Sequence, residues 1–270
     1  MAFAWLKGHG TENDFVLLPD HDGSVHGDLE PSFVAALCDR RAGIGADGVI
    51  RVIRSEALGL ESAGEWFMDY RNSDGTVSEM CGNGVRVFAK HLVDEGLATA
   101  PVVVGTRDGD KTVTVDGDVY TIDMGTPTLQ DTSKVTVEGR AWEAQDVRTG
   151  NPHAVAFVES LDDAGPLLTA PDHDTAVYPD GVNVEFVVRR GPEHVAMRVH
   201  ERGSGETRSC GTGACAVAVA AMSADGVDRP STYRVDVPGG TLHVTWTADG
   251  RMLLAGPAEI VARGEMEWLA

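Results

Sequence analysis

The sequence predicts an α/β protein of two similar, pseudo-symmetric halves. Each half is expected to be a curled, mostly antiparallel, barrel-like sheet around one central helix, with the active site in the cleft between the halves. An internal repeat in register, a helix with readable ends in each copy, and short strand-like runs bounded by Gly and Asp turns carry this expectation.

The repeat lays Met68-Asp-Tyr-Arg-Asn72-Ser-Asp-Gly-Thr-Val-Ser-Glu-Met-Cys81-Gly-Asn-Gly84 over Met197-Arg-Val-His-Glu201-Arg-Gly-Ser-Gly-Glu-Thr-Arg-Ser-Cys210-Gly-Thr-Gly213 without a gap. The offset is 129 residues from Met68 to Met197 and again from Cys81 to Cys210. Each copy runs from a strand-like segment through a Gly-rich turn into Cys-Gly-x-Gly, and then into a helix. A single Cys-Gly-x-Gly is a weak signal. Two in register suggest a pseudo-twofold that sets two cysteines facing each other across a cleft.

In the first half, Phe15–Leu18 reads as a strand and the segment from Pro31 to Arg41 as helix-like. The central helix places Val85, Phe88, Ala89, Leu92 and Val93 at helical spacing and meets Gly96 where a C-terminal cap belongs. Strand-like runs follow at Val102–Val104, Thr112–Val115 and Val119–Met124. Near Gly125-Thr-Pro127 the strand pattern gives way to a polar connection, so the halves are read as 1–124 and 125–259, with the tail 260–270 joining the first. The second half has strand-like runs at Ala154–Val158, Val184–Val188, Val195–His200, Arg234–Val237 and Leu242–Trp246. Its helix, Gly213 to Asp225, is apolar nearly all round and meets Gly226, so it is expected to be buried inside its own half.

At 270 residues the chain can form one large domain or two ordinary ones. Twenty-two basic residues oppose forty-two acidic ones, a net charge of −20 that repels nucleic acid and anionic membranes. The longest apolar run, Ala214 to Met222, is far short of a membrane span. No signal peptide is visible at the amino terminus, which gives a cytoplasmic reading.

The four cysteines form no CxxC pair and accompany no His pattern at zinc spacing, so no metal site is expected. Cys38 and Cys215, on helical and apolar stretches, read as small buried hydrophobes. Cys81 and Cys210 open helices instead. A helix start carries partial positive charge that lowers a thiol pKa, yet it supplies only about 0.3–1 kcal/mol, so a neighbouring base or cation is needed as well. The same N–H groups can bind a carboxylate. Two such starts suit removal of an amino-acid α-proton, because charge spreads onto the carboxylate and preorganised donors stabilise it there. One thiolate takes the proton and the other thiol returns one, which inverts the centre. No cofactor is needed in principle, and no nucleotide-binding fingerprint or Schiff-base lysine is apparent.

The blocks Gly8-His-Gly-Thr-Glu-Asn13-Asp-Phe15, Gly43-Ile-Gly-Ala-Asp47, Asn72-Ser-Asp-Gly75, Cys81-Gly-Asn-Gly84, Gly150-Asn-Pro-His153, Gly181-Val-Asn183, Glu201-Arg-Gly-Ser-Gly-Glu-Thr207, Cys210-Gly-Thr-Gly213 and Pro238-Gly-Gly240 occur in that order. Together they resemble the diaminopimelate epimerase family from end to end. The resemblance implies that Cys81 and Cys210 are the two acid/base residues, with His153 beside Cys81 and Glu201 beside Cys210 to tune them. It implies that Gly82, Asn83, Gly211 and Thr212 offer N–H groups to the reacting carboxylate. Asn13, Asn72, Asn151, Asn183 and Glu201 would grip the substrate, and Arg202 would pair with the distal carboxylate. The implied substrate is LL-2,6-diaminopimelate, a diamino dicarboxylic acid, and the implied assembly is a homodimer. One departure is plain: many family members carry Gln where this chain has Gly48. A proline or hydroxyproline epimerase of the same fold is the nearest rival. A thiol redox protein and a non-catalytic binding module are more distant ones.

Overall fold

The computed structural model describes residues 2–267. The opening elements are β1 (Ala2–Gly10), β2 (Asn13–Pro19), α1 (Pro31–Cys38), β3 (Gly48–Arg54), β4 (Trp66–Asn72), α2 (Gly82–Asp94), β5 (Val102–Gly105), β6 (Lys111–Asp116) and β7 (Val119–Asp123). Then come β8 (Thr128–Val137), β9 (Arg140–Thr149), β10 (Asn151–Phe157), β11 (Asp172–His173), β12 (Asn183–Gly191), β13 (His194–Glu201) and β14 (Gly205–Thr207). The last are α3 (Gly211–Asp225), β15 (Ser231–Val237), β16 (Gly240–Trp246), β17 (Met252–Pro257) and β18 (Glu259–Glu267). Two compact units result. One comprises the described residues through Ile122 together with those from Gly256 onward, and the other is Asp123–Ala255. Of the tail 260–270, the residues 268–270 lie outside the described residues.

In the first unit β18 pairs antiparallel with β1, and β1 with β2. The sheet continues β2–β3 parallel, β3–β4 antiparallel, β4–β5 parallel, β5–β6 antiparallel and β6–β7 antiparallel. In the second unit β8 pairs antiparallel with β9, and β9 with β10. It continues β10–β12 parallel, β12–β13 antiparallel, β13–β15 parallel, β15–β16 antiparallel and β16–β17 antiparallel. The two series are the same, pairing for pairing. Each unit is thus a mixed α/β fold built on one plan, and the plan is used twice.

The central helices sit where their sequences require. Helix α2 packs against β1 to β6 and β18, burying Val85, Phe88 and Leu92, each contributing roughly 1.5–3 kcal/mol. Helix α3 packs against β9, β10, β12, β13, β15 and β16. Its residues from Gly213 through Met222 are buried, which explains the absence of a polar face. It ends at Gly226, whose left-handed φ of 62° closes the last turn. On the other face of the first sheet, Val16, Leu18 and Val49 form a second core with Val34, Leu37 and Cys38 of α1. Strand β2 is therefore covered on both sides and reads as a continuous apolar run.

Two local differences from the sequence expectation have plain causes. Helix α1 stops at Cys38, because the Asp39 carboxylate accepts the N–H groups of Arg41 and Ala42 at 2.7 Å and turns the chain. The polar stretch after Pro127 is the ribbon β8–β9, whose first strand is mostly exposed before Val135 and carries a register shift between Leu129 and Thr132, so it lacks a clear period-two pattern. No helix of the described residues is long and apolar enough to cross a membrane.

Candidate active site

In the first unit, β4 ends at Asn72 and a tight turn leads to the first Cys-Gly-x-Gly motif. The Asn72 N–H donates to the Thr76 carbonyl at 2.9 Å, and the Asn72 side chain donates to Thr76 Oγ1 at 3.0 Å. The chain then reaches Cys81, the half-buried N-cap of α2. Gly82 and Asn83 are the first two residues of that helix, where backbone N–H groups have no intrahelical acceptor.

Behind Cys81 lies a line of amides. Asn13 Oδ1 accepts from Cys81 Sγ at 3.6 Å and from Asn83 Nδ2 at 3.1 Å, while Asn13 Nδ2 donates to Asp47 Oδ2 at 2.8 Å. Buried Arg86 donates to Asn83 Oδ1 at 3.0 Å and, through Nε, to the Pro257 carbonyl at 3.2 Å. Arg40 grips both Asp14 and Asp47, at 2.8 and 2.7 Å. Burial works upward on the Asp14 carboxyl, but hydrogen bonds and charge from Arg40 and Lys7 outweigh it and hold the pKa at about 2. The amide of Asn13 is thereby fixed at each end before any ligand arrives.

Gly48 has no room for a side chain. A side-chain carbon there would stand 2.5 Å from the Arg71 carbonyl and 2.6 Å from the Tyr70 ring. Tyr70 fills that space and meets Phe15 edge-on, with centroids 5.7 Å apart.

In the second unit Cys210 is the buried N-cap of α3, with Gly211 and Thr212 as the first helical residues. Its Sγ accepts from the Gly213 N–H at 3.3 Å and lies 3.4 Å from Thr212 Oγ1. Glu201, at the end of β13, hydrogen-bonds the Cys210 thiol and also accepts from Thr207 Oγ1. Burial pushes the Glu201 carboxyl up, only partly offset by those two bonds. Burial also pushes the Cys210 thiol up, reinforced by the negative charges of Glu201 and Glu185. The helix start therefore does not lower this thiol as the sequence suggested: two carboxylates and desolvation outweigh one N–H bond.

Asn183 opens β12, and its Oδ1 accepts the Arg202 N–H at 2.9 Å. The Arg202 guanidinium is exposed and donates to the Asp180 carbonyl at 3.0 Å. Asn151 is exposed at the start of β10. Two residues on, His153 is fully buried, with Nδ1 2.6 Å from Glu185 Oε1. Thus Asn13, Cys81 and Asn83 come together in one unit, and Glu201, Cys210 and Thr212 in the other. Asn72 and Arg202 make local turn contacts. Sequence reasoning passed over Asp47, Arg86, Thr207 and Glu185. Only Glu185 left a local signal, as an acid inside the apolar run Val184–Val188.

The doubled α/β unit is a class of fold seen in several solved structures. The chain superposes on a Bacillus anthracis phenazine biosynthesis protein of the PhzF family with a TM-score of 0.72, at 15% identity, covering 99% of this chain and 100% of that one. A hydroxyproline epimerase from Agrobacterium vitis superposes with a TM-score of 0.68, at 15% identity, covering 98% and 92%. The sequence is more particular than the fold. The profile of the family described as diaminopimelate epimerase matches residues 5–130 and 146–261. The diaminopimelate epimerase of Streptomyces coelicolor is 59% identical over 98% of this chain and 96% of its own length. That of Mycolicibacterium smegmatis is 47% identical over 99% and 97%. The chain belongs to the diaminopimelate epimerase family.

Proposed function

We propose that the protein converts LL-2,6-diaminopimelate to meso-diaminopimelate by two-base proton transfer, with Cys81 and Cys210 as the acid/base pair. The observation that carries this reading is the doubled N-cap cysteine, each copy backed by its own polar cluster, in a chain of this family. Inversion requires a base on one face of the α-carbon and an acid on the other. In one direction the Cys81 thiolate takes the α-proton, the C–H electron pair passes into the carboxylate, and the Cys210 thiol delivers its proton to the opposite face. The Cys210 surroundings suit the donor role, because neighbouring carboxylates and burial keep the sulfur protonated. Glu201 then stabilises or takes a proton as the sulfur titrates, so the pair acts as a coupled unit.

The enolate-like dianion needs donors at the carboxylate oxygens. The N–H groups of Gly82, Asn83, Gly211 and Thr212 serve there, at helix starts where partial positive charge favours an anion. Asn13, Asn72, Asn151 and Asn183 grip the amino and carboxylate groups, and Arg202 pairs with the distal carboxylate, for which its planar fork is suited. A cytoplasmic location and a homodimer belong to the same proposal. Thiol acid/base chemistry requires reduced cysteines, which a reducing compartment supplies.

The test is incubation with LL-diaminopimelate in D₂O, read by mass spectrometry and chiral analysis. One deuterium enters the inverted centre at early turnover, and Cys81→Ala and Cys210→Ala each abolish it. Turnover of proline with none of diaminopimelate would assign the rival substrate.

A further inference from the structure

We propose that Glu185 is a positioning residue of the second cysteine site, orienting the His153 imidazole through Nδ1 and setting the negative potential beneath Cys210 and Glu201. This rests on the epimerase reading above and deepens it. Strand β12 is apolar around Glu185: Val184 and Phe186 turn to a core with Ala154, Ala156 and Tyr178. Glu185 occupies the alternate face, where β12 meets α3, and it is fully buried. Among the described residues, its one hydrogen-bonded side-chain partner is His153. A carboxylate buried in this way costs several kcal/mol unless it is compensated.

The register accounts for the partnership. In the parallel pair β10–β12, His153 lies opposite Asn183 and Val155 opposite Glu185. His153 and Glu185 are therefore diagonal neighbours on one face, and they meet at 2.6 Å with both side chains wholly buried. The first turn of α3 descends onto the same carboxylate. A side-chain carbon at Gly213 would stand 2.8 Å from Glu185 Oε1 and 3.2 Å from Cys210 Sγ, so glycine alone lets these groups crowd one point. His153 Nε2 and Glu185 Oε2 are both buried with no hydrogen-bond partner among the described residues.

The titratable groups within electrostatic reach of Glu185 are His153 from β10, Glu201 from β13, Cys210 at the start of α3 and Tyr178 from the loop before β12. The Glu185 charge acts upward on the Glu201 carboxyl and on the Cys210 thiol. Its removal must therefore move both downward.

The experiment compares wild type, Glu185→Gln and Glu185→Asp on LL-diaminopimelate across pH. In Glu185→Gln we expect kcat lower by at least about tenfold with KM within about threefold. The limb of the kcat/KM profile set by Cys210 and Glu201 should move to lower pH by about one unit, and Glu185→Asp, which keeps the charge, should return that limb toward wild type. An unmoved limb in a folded Glu185→Gln protein would overturn the proposal. If that variant does not fold, ¹⁵N NMR of histidine-labelled wild type decides the matter. A His153 proton on Nδ1 supports Glu185 as its acceptor, and a proton on Nε2 with Nδ1 bare overturns it. Wild type that leaves diaminopimelate unchanged would instead remove the epimerase reading itself.

Discussion

Glu201 and Cys210 share a hydrogen bond inside the second unit, and both groups are displaced upward in pKa, chiefly by burial. The pair is therefore coupled: the charge on either group sets how readily the other gives up its proton.

It follows that Cys210 resists alkylation. At pH 7 iodoacetamide should modify it far more slowly than an unperturbed thiol, because little thiolate is present. Cys38 should be equally inert, since burial and the nearby Asp14 and Asp47 push its thiol up to about 12. Glu201→Gln removes a negative charge beside the sulfur and should raise the Cys210 rate roughly tenfold. Peptide mass spectrometry reads both effects, and an unaltered Cys210 rate in Glu201→Gln would count against this electrostatic account.

Asn13 is the hinge of the first cysteine cluster, bonded to Cys81, Asn83 and Asp47. Asn13→Ala should cost kcat/KM roughly 10- to 100-fold, the equivalent of about 1.5–3 kcal/mol for a hydrogen bond to a charged group. Steady-state kinetics at saturating and limiting substrate will show whether kcat carries the loss, as a thiol-orienting role demands.

The crowding at Gly48 gives a stability prediction. Gly48→Ala places a carbon against the Arg71 carbonyl and the Tyr70 ring, and should destabilise the protein by about 1–3 kcal/mol. Gly48→Gln combined with Tyr70→Ala should recover only part of the loss from Gly48→Gln, because the carbonyl remains. Thermal denaturation of the three variants tests the ordering.

Asp14 makes stability depend on acid. Its pKa falls from 3.8 to about 2 on folding, so its contribution is complete above about pH 4 and disappears as pH falls towards 2. Asp14→Asn should therefore be less stable than wild type at pH 7, with the two urea midpoints converging at the acid end. A constant gap across that range would refute the linkage.

Much of this molecule was legible before folding. Helix α3 announced itself by the unbroken apolar run Ala214 to Met222 with Gly226 soon after it, and β12 and β13 by apolar segments between Gly turns. Cys81 and Cys210 stood out because they recur in register. Strand β8 did not, since most of it before Val135 is exposed and a register shift between Leu129 and Thr132 breaks the alternation. The supporting polar groups were hidden for a different reason. Arg86 reaches Pro257, and His153 reaches Glu185 across a parallel pairing, so neither contact has a local spacing that a sequence could display.

Strand β18 has an implication for the order of assembly. The first unit needs this late strand against β1 and α2, so its edge stays open until β18 has been made. The later-made unit, continuous from Asp123 to Ala255, can be finished sooner. The half that leaves the ribosome first is thus the last to be sealed, and the nascent chain must keep its unfinished border from pairing with a stranger in the meantime.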